Sequence, residues 1–295
     1  MIDFREPQLQ DKANADKILY NHEFLGCEYS FGNIYIWRKH YQTKIAFVDD
    51  FLILKATYEN KTMYLYPVGT GDVKGKTDLI VQDAQQNGQE FSFSGITSKM
   101  MEQLETFYPN KFEFIPVRDS FDYVYNCDDL INLAGKKYHS KRNHIARFKQ
   151  LGEWSYEAIT EDNLTECRKM SDEWCIVNEC CEDDTLKAEA CAVREAFRNF
   201  NELSFKGGLL KLEGRIIAFS IGEQLGKNNF TTHIEKAFYD VNGAYTMINQ
   251  QFAEHNYNGY NFVNREEDLG VPGLRKAKLS YYPAILLEKS VAKLK

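Results

Sequence analysis

Three consecutive acids stand in the run Asn264-Arg265-Glu266-Glu267-Asp268-Leu269-Gly270. Joining an acyl group to an amine needs a base, because an ammonium has no lone pair, and a carboxylate of raised pKa can take the proton. Adjacent acids disfavour one another's ionisation, which promotes such a shift in at least one of them. Glu267 or Asp268 is the expected base. Asn264, Arg265 and Glu266 are expected to hold the acceptor, with Glu266 able instead to pair with Arg265 or Arg275. Arg275, Lys276 and Lys278 follow on the next turns and are expected to contact phosphate. Tyr281 or Tyr282 is the candidate acid for a leaving oxygen. The same residues also read as an acidic loop bridged to a basic helix.

A second constellation is the segment Gly135 to Lys149, with six Lys/Arg and two His in fifteen residues. As a helix it turns Tyr138, Ile145 and Phe148 to the protein and leaves Lys137, Lys141, Arg142 and Arg147 for phosphates. It reads either as a solvated helix or as a local patch for a polyanion such as a tRNA end, a CoA phosphate or a lipid headgroup. A third is Asn242-Gly243-Ala244-Tyr245, where glycine opens a helix whose free N–H groups can hold a phosphate or an acyl oxygen.

The elements that must position these groups are legible from periodicity. Apolar runs at 34–37, 44–48, 51–55, 63–66, 90–93, 112–115 and 122–125 predict strands, and 76–86 and 98–108 predict helices. Thr160 caps a helix carrying Leu164, Cys167, Met170 and Trp174, and a further helix carries Leu186, Ala190, Val193 and Phe197. A hairpin turning at Glu213-Gly214-Arg215 joins strands at 208–212 and 216–222, and a third strand covers 229–234. The helix after Gly243 is expected to carry Tyr245, Ile248 and Phe252 on one face. It ends at Asn258-Gly259 before a strand at 260–263, as the helix at 76–86 ends at Asn87-Gly88 before one at 90–93. That repetition suggests a duplicated α/β unit.

Composition bounds the rest. The chain has 295 residues, 43% hydrophobic, with net charge −7. That length suits one large or two medium domains, and that charge confines any nucleic-acid site to a local patch. No run approaches the ~20 apolar residues of a membrane span, and the N-terminus lacks a signal-peptide core. The seven cysteines show no CxxC pair, which fits reduced thiols and a cytoplasmic protein without a metal site.

The hairpin, third strand and glycine-entered helix resemble the central part of the GNAT acyltransferase superfamily. The segments GKKYHSKRNHIARFK and NREEDLGVPGLRKAKLSYYP resemble the bacterial family related to the C-terminal catalytic domain of phosphatidylglycerol lysyltransferase. The resemblance covers most of the chain. It implies an α/β fold of two tandem GNAT-like domains, as in the Fem aminoacyltransferases, each a mostly antiparallel sheet flanked by helices. We expect domains at 1–130 and 151–295 with a basic linker helix at 131–150. The implied activity is transfer of an aminoacyl group from charged tRNA, or of an acyl group, to an amine or hydroxyl on a small molecule, lipid headgroup or peptide. No tightly bound cofactor is expected; aminoacyl-tRNA or acyl-CoA is the co-substrate. Gly243, Ala244 and Tyr245 then bind the donor with Lys137, Lys141, Arg142, Arg147, Arg275 and Lys278. Acyl-CoA enzymes of the superfamily carry a Gln/Arg-x-x-Gly-x-Gly/Ala loop. Here Tyr239 to Tyr245 replaces it, Asp240 adds negative charge, and the balance moves towards aminoacyl-tRNA. An acyl-CoA N-acetyltransferase and a non-catalytic ligand-binding protein are the alternatives.

Overall fold

Two tight turns bend apolar runs back on themselves. Glu59 and Asn60 (φ 49° and 62°), and Glu213 and Gly214 (φ 50° and 78°), are consecutive left-handed pairs, the backbone that matches the twist of a two-residue hairpin. The computed structural model describes residues 2–295. Its strands are β1 (Lys44–Val48), β2 (Phe51–Tyr58), β3 (Lys61–Leu65), β4 (Val68–Gly69), β5 (Ser92–Ile96), β6 (Phe112–Pro116), β7 (Asp122–Asn126), β8 (Trp154–Ala158), β9 (Lys206–Leu212), β10 (Arg215–Leu225), β11 (Asn229–Ala237), β12 (Phe262–Asn264), β13 (Ile285–Leu287) and β14 (Ser290–Leu294). They form two seven-stranded sheets. The first runs β1-β2-β3-β5-β14-β6 with β4 beside β2; the second runs β8-β9-β10-β11-β12-β7-β13.

The two sheets share one plan. In each, a hairpin (β2–β3 or β10–β11) is followed by a helix (Val73–Gln86 or Ala244–Asn256) and a strand returning parallel to the hairpin's second strand. A parallel return needs a crossover, which the helix supplies. Every other pairing is antiparallel.

The sheets also exchange strands. β7 leaves the first half of the chain and lies between β12 and β13, and β14 returns to lie between β5 and β6. The expected boundaries at 130 and 150 are therefore corrected: neither sheet is a continuous stretch of chain. One apolar core runs through both, including Leu52, Ile53 and Phe93 of the first with Leu209, Phe219 and Ile221 of the second. A smaller aromatic cluster holds Tyr123, Tyr125, Tyr138, Tyr257 and Tyr281.

The helices follow their signals, with two differences. In the helix Glu161–Val177, Asn163 Oδ1 accepts from the backbone N–H of Thr160 at 2.9 Å. Ile34-Tyr35-Ile36, expected as a strand, belongs to the helix Phe31–Ile36. Phe31, Gly32, Ile34, Tyr35 and Ile36 are all buried, so the segment lacks the polar face that reveals a helical period. In the helix Ala244–Asn256, Ile248 and Phe252 are buried as expected but Tyr245 is 39% exposed.

Candidate active site between the diverging strands and the basic helix

The second sheet is irregular at its centre. Ile221 opposes Ile234 and Gly222 opposes Thr232, so His233 is the extra residue of a β-bulge, a device that re-aims side chains and interrupts the ladder. β12 accompanies β11 for only three residue pairs, Asn229 to Thr231 against Phe262 to Asn264. The chain then turns towards β7, where Arg265 donates its N–H to the Tyr123 carbonyl at 2.9 Å. In the gap, Arg265 Nη2 meets Glu235 Oε1 at 2.8 Å and Asn249 Nδ2 donates to Glu235 Oε2 at 3.0 Å. Arg265 Nη1 and Asn249 Oδ1 are buried without a partner among the described residues. A buried donor and acceptor left open are costly unless something binds them.

Two clefts open beside this gap and share His144. The first, about 460 Å³, is lined by Tyr239 to Thr246. Gly243 heads the helix at φ +84°, and a Cβ there would lie 2.4 Å from the His144 carbonyl oxygen. Glycine thus lets the basic helix His139–Phe148 lie against the start of the helix Ala244–Asn256. It brings no capping side chain; Ala244 N–H donates to the Val241 carbonyl at 3.1 Å, and the N–H groups of Tyr245 and Thr246 stay available. At the equivalent helix of the first sheet Asp72 Oδ1 accepts from Gly75 N–H at 2.8 Å, which fills that place. The second cleft, about 490 Å³, lies between the basic helix and the helix Pro272–Leu279, with Lys137, Lys141 and Lys276 in its walls. Lys141 donates to Ser280 Oγ at 2.6 Å and sits 3.6 Å over the Tyr281 ring. Burial, and then the nearby Arg265 charge, lower its pKa to about 8.

On the other side of the 265–268 loop the two sheets meet through buried charges. His233 Nδ1 lies 2.7 Å from Glu266 Oε1, and Nε2 lies 3.0 Å from Glu223 Oε1. Burial opposes the imidazolium, but the two carboxylates outweigh it and raise the pKa to about 9. Lys289 Nζ bridges Glu28 and Asp122, each at 2.7 Å. Glu267 lies beside Cys27 and Asp122. Burial, then Asp122 and Glu266, push its carboxyl up to about 7. Cys27, Asp122 and Glu267 could together hold a cation, but the Lys289 ammonium already faces Asp122.

The expected site residues thus separate into three places. Gly243, Ala244, Tyr245, Lys137 and Lys141 line the clefts, and Tyr281 lies buried under Lys141 with its pKa raised to about 12, chiefly by burial. Arg147 is exposed. Glu266 and Glu267 belong to the buried charge cluster; Glu266 bonds His233 and Asn33, not Arg265 or Arg275.

The remaining expectations are corrected. Asp268 is locked by Arg275, Tyr123, the Gly270 N–H and Arg118, with its pKa far below the usual carboxylate range because of the Arg275 bond first; it has no affinity for a proton near neutrality. Arg275 is held by Asp268 and Asp119. Lys278 is buried and donates to the carbonyls of Arg265, Glu266 and Glu267. Arg142 donates to the Leu133 and Gly135 carbonyls. Asn264 donates to the Leu25 carbonyl and Asp122, and accepts from the Glu266 N–H. Asp268, Arg275, Lys278 and Asn264 are thus taken up by the protein's own groups; Arg142 has Nη1 engaged but is exposed and has no carboxylate partner among the described residues.

Glu235, Asn249, His233, Glu223 and Lys289 escaped the sequence reading. Glu223 was findable as the one ionisable residue in the run Ile216–Leu225, since a buried charge is rarely accidental, whereas His233 stands in a polar strand beside Glu235 and Lys236 and carried no such signal.

Comparison with known proteins accords with this architecture. A conserved protein of unknown function from Bacteroides thetaiotaomicron VPI-5482 is 40% identical over all of both chains, with a TM-score of 0.97. L-PGS from Bacillus licheniformis is 16% identical over 99% of this chain and 93% of its own, with a TM-score of 0.70, a likeness of fold. An uncharacterised protein of Mycoplasmoides gallisepticum is 23% identical over 176 residues, 59% of this chain, and the match spans only 56% of that relative. No helix among the described residues is long and apolar enough to cross a membrane. The family described as phosphatidylglycerol lysyltransferase, C-terminal, matches residues 21–293, and by that extent of agreement the chain belongs to it.

Proposed function

We propose that this chain transfers an aminoacyl group from the ester end of a charged tRNA to an amine or hydroxyl acceptor, using the second of two GNAT-like units. Family membership supports acyl transfer as the reaction class. The observation that carries the donor assignment is the meeting of two clefts at His144: an uncapped helix start on one side and Lys137, Lys141 and Lys276 on the other. In this reading the lysines take the phosphates of the tRNA end, and the first-turn N–H groups with Arg265 Nη1 polarise the ester carbonyl. The acceptor attacks that carbon, the acyl–oxygen bond to the ribose breaks, and the new acyl–nitrogen or acyl–oxygen bond forms. In this reading the acceptor approaches from the far side of the 265–268 loop, where Glu267, the acid of its trio displaced towards neutrality, takes its proton, and the ribose oxygen takes a proton from Tyr281. Asp240 in the wall of the first cleft disfavours the pyrophosphate of acyl-CoA.

A second reading gives the base role to Lys141, because it lines a cleft and titrates near 8. The two differ in pH profile: transfer rises through about pH 7 for Glu267 and about pH 8 for Lys141. The test is a screen of purified protein with radiolabelled charged tRNAs and candidate amine and hydroxyl acceptors. Label passing from tRNA to an acceptor supports the reading. Stabilisation by acetyl-CoA alone, or no transfer from any charged tRNA, overturns it.

A further inference from the structure

A thiol and two carboxylates meet behind the 265–268 loop from three separate parts of the chain. Cys27 opens a single helical turn (Cys27–Tyr29), Asp122 begins β7, and Glu267 lies in the loop. Cys27 Sγ stands 3.7 Å from Asp122 Oδ1 and 3.7 Å from Glu267 Oε2, and the three atoms lie within 4.8 Å of one another. A tetrahedral zinc ion at ~2.3 Å from sulfur and ~2.1 Å from oxygen holds those two ligand atoms about 3.6 Å apart. Both sulfur–oxygen gaps match that spacing. One thiol proton cannot serve both oxygens. Asp122 is wholly buried, and its other contacts fall on Oδ2: the Cys27 N–H at 3.1 Å, Asn264 Nδ2 at 2.7 Å and Lys289 Nζ at 2.7 Å. The Glu267 carboxylate has no hydrogen-bond partner but that thiol among the described residues. Whichever oxygen takes the proton, the other faces the sulfur with no donor, an arrangement that a buried site tolerates poorly unless something binds there. Lys289 does not occupy this place. Its ammonium bridges Asp122 Oδ2 and Glu28 Oε2 and stays 3.9 Å from the sulfur.

We propose that Cys27 Sγ, Asp122 Oδ1 and Glu267 Oε2 bind a thiophilic divalent cation of the zinc class, with water in a fourth position. The thiol proton, and any proton on Glu267, leave to solvent as the metal–sulfur and metal–oxygen bonds form. Sulfur at the apex favours zinc over magnesium or calcium, which take oxygen ligands. Glu267 is the member of the trio partly open to solvent and gives the ion its way in. The ligands are held by neighbours that do not touch the ion: the Cys27 N–H and Asn264 fix Asp122 through Oδ2, and Lys278 fixes the Glu267 carbonyl. A bound ion takes the Glu267 oxygen away from the acceptor and so inhibits transfer. That consequence rests on the role given to Glu267 under the proposed function; the binding itself does not.

The test is titration of the metal-stripped protein with cobalt(II), whose spectrum gains a charge-transfer band when a thiolate binds it, followed by displacement with zinc(II). Wild type shows the band and loses it to zinc, and zinc raises its melting temperature. Cys27→Ser lacks both responses, and Glu267→Gln weakens zinc binding about tenfold or more. A Cys181→Ser, Cys191→Ser variant, without the two exposed thiols, keeps the band. No band in wild type, a band that survives Cys27→Ser, or a band lost with the two exposed thiols overturns the proposal. Transfer is read separately. Zinc that binds without slowing transfer refutes the base role of Glu267 and leaves the ion site standing, and a protein that transfers nothing is still judged by the cobalt band.

Discussion

The clamp on His233 makes stability depend on pH in a direction that can be calculated. Its folded pKa is about 9 against 6.5 for the free side chain. A raised folded pKa means the contribution is fully present below about pH 6.5 and is lost as pH climbs through 9. The difference corresponds to about 3 kcal/mol at ~1.4 kcal/mol per unit. Glu267 acts in the same direction at lower pH: its folded value of about 7 against 4.5 removes stability as pH rises between those values. Asp268 acts oppositely: with its folded pKa depressed, its contribution is present above the free value of 3.8 and disappears in stronger acid. Wild type should therefore be most stable in mild acid. The assay is urea unfolding at several pH values for wild type and His233→Gln, which keeps a polar side chain but carries no titrating charge. Between pH 6.5 and 9.5 wild type should lose about 3 kcal/mol more than the variant, because the rise contributed by Lys141, whose folded pKa is lowered to about 8, is common to both proteins. Equal slopes for the two proteins in that window would show that His233 is not held as an imidazolium between Glu223 and Glu266.

Other substitutions separate chemistry from architecture. Glu267→Gln should abolish most transfer in a single-turnover assay while unfolding at the wild-type temperature or above it near pH 8, since it relieves a carboxylate crowded by Asp122 and Glu266. Asp268→Asn should instead lower stability by about 3 kcal/mol in urea titration, because Arg275 and Arg118 lose the charge they share. Gly243→Ala should cost about 1–3 kcal/mol and displace the basic helix, given the positive φ and the approach of the His144 carbonyl; both a calorimetric melt and tRNA affinity should report it. Lys137→Ala with Lys276→Ala should weaken tRNA binding and reduce the slope of log K against log salt by about 0.7 per lost phosphate contact in a filter-binding series.

The elements most legible in sequence were those with local causes. Caps, period and turns gave the helices at 161–177 and 184–198, the hairpin turning at 213–215, and the glycine before residue 244. The segment around Ile34 was misread because burial on all sides erases periodicity, and Tyr245 because its position on the first turn lets it face the cleft. Strand exchange left no local trace: Ser290 pairs with Ile96, and nothing in either pentapeptide names the other. The site was half legible for the same reason. The acids at 266–268 stood out by composition, but their separate fates depend on His233, Lys289, Arg118 and Tyr123, which only the folded chain brings near. Arg275 and Lys278 looked free as sequence and are consumed as structure, since their partners are two acids and three carbonyls hidden from any periodic pattern.

The crossing of β7 and β14 has a consequence for biosynthesis. When residues 92–116 have emerged from the ribosome, the slot between β5 and β6 is still open, and only residues 290–294 can close it. Two unpaired edges must therefore wait through the making of most of the chain, open during that interval to pairing with other chains. A lesion confined to those five residues would injure the half translated first, and expressing either half by itself would yield a sheet with a missing rung.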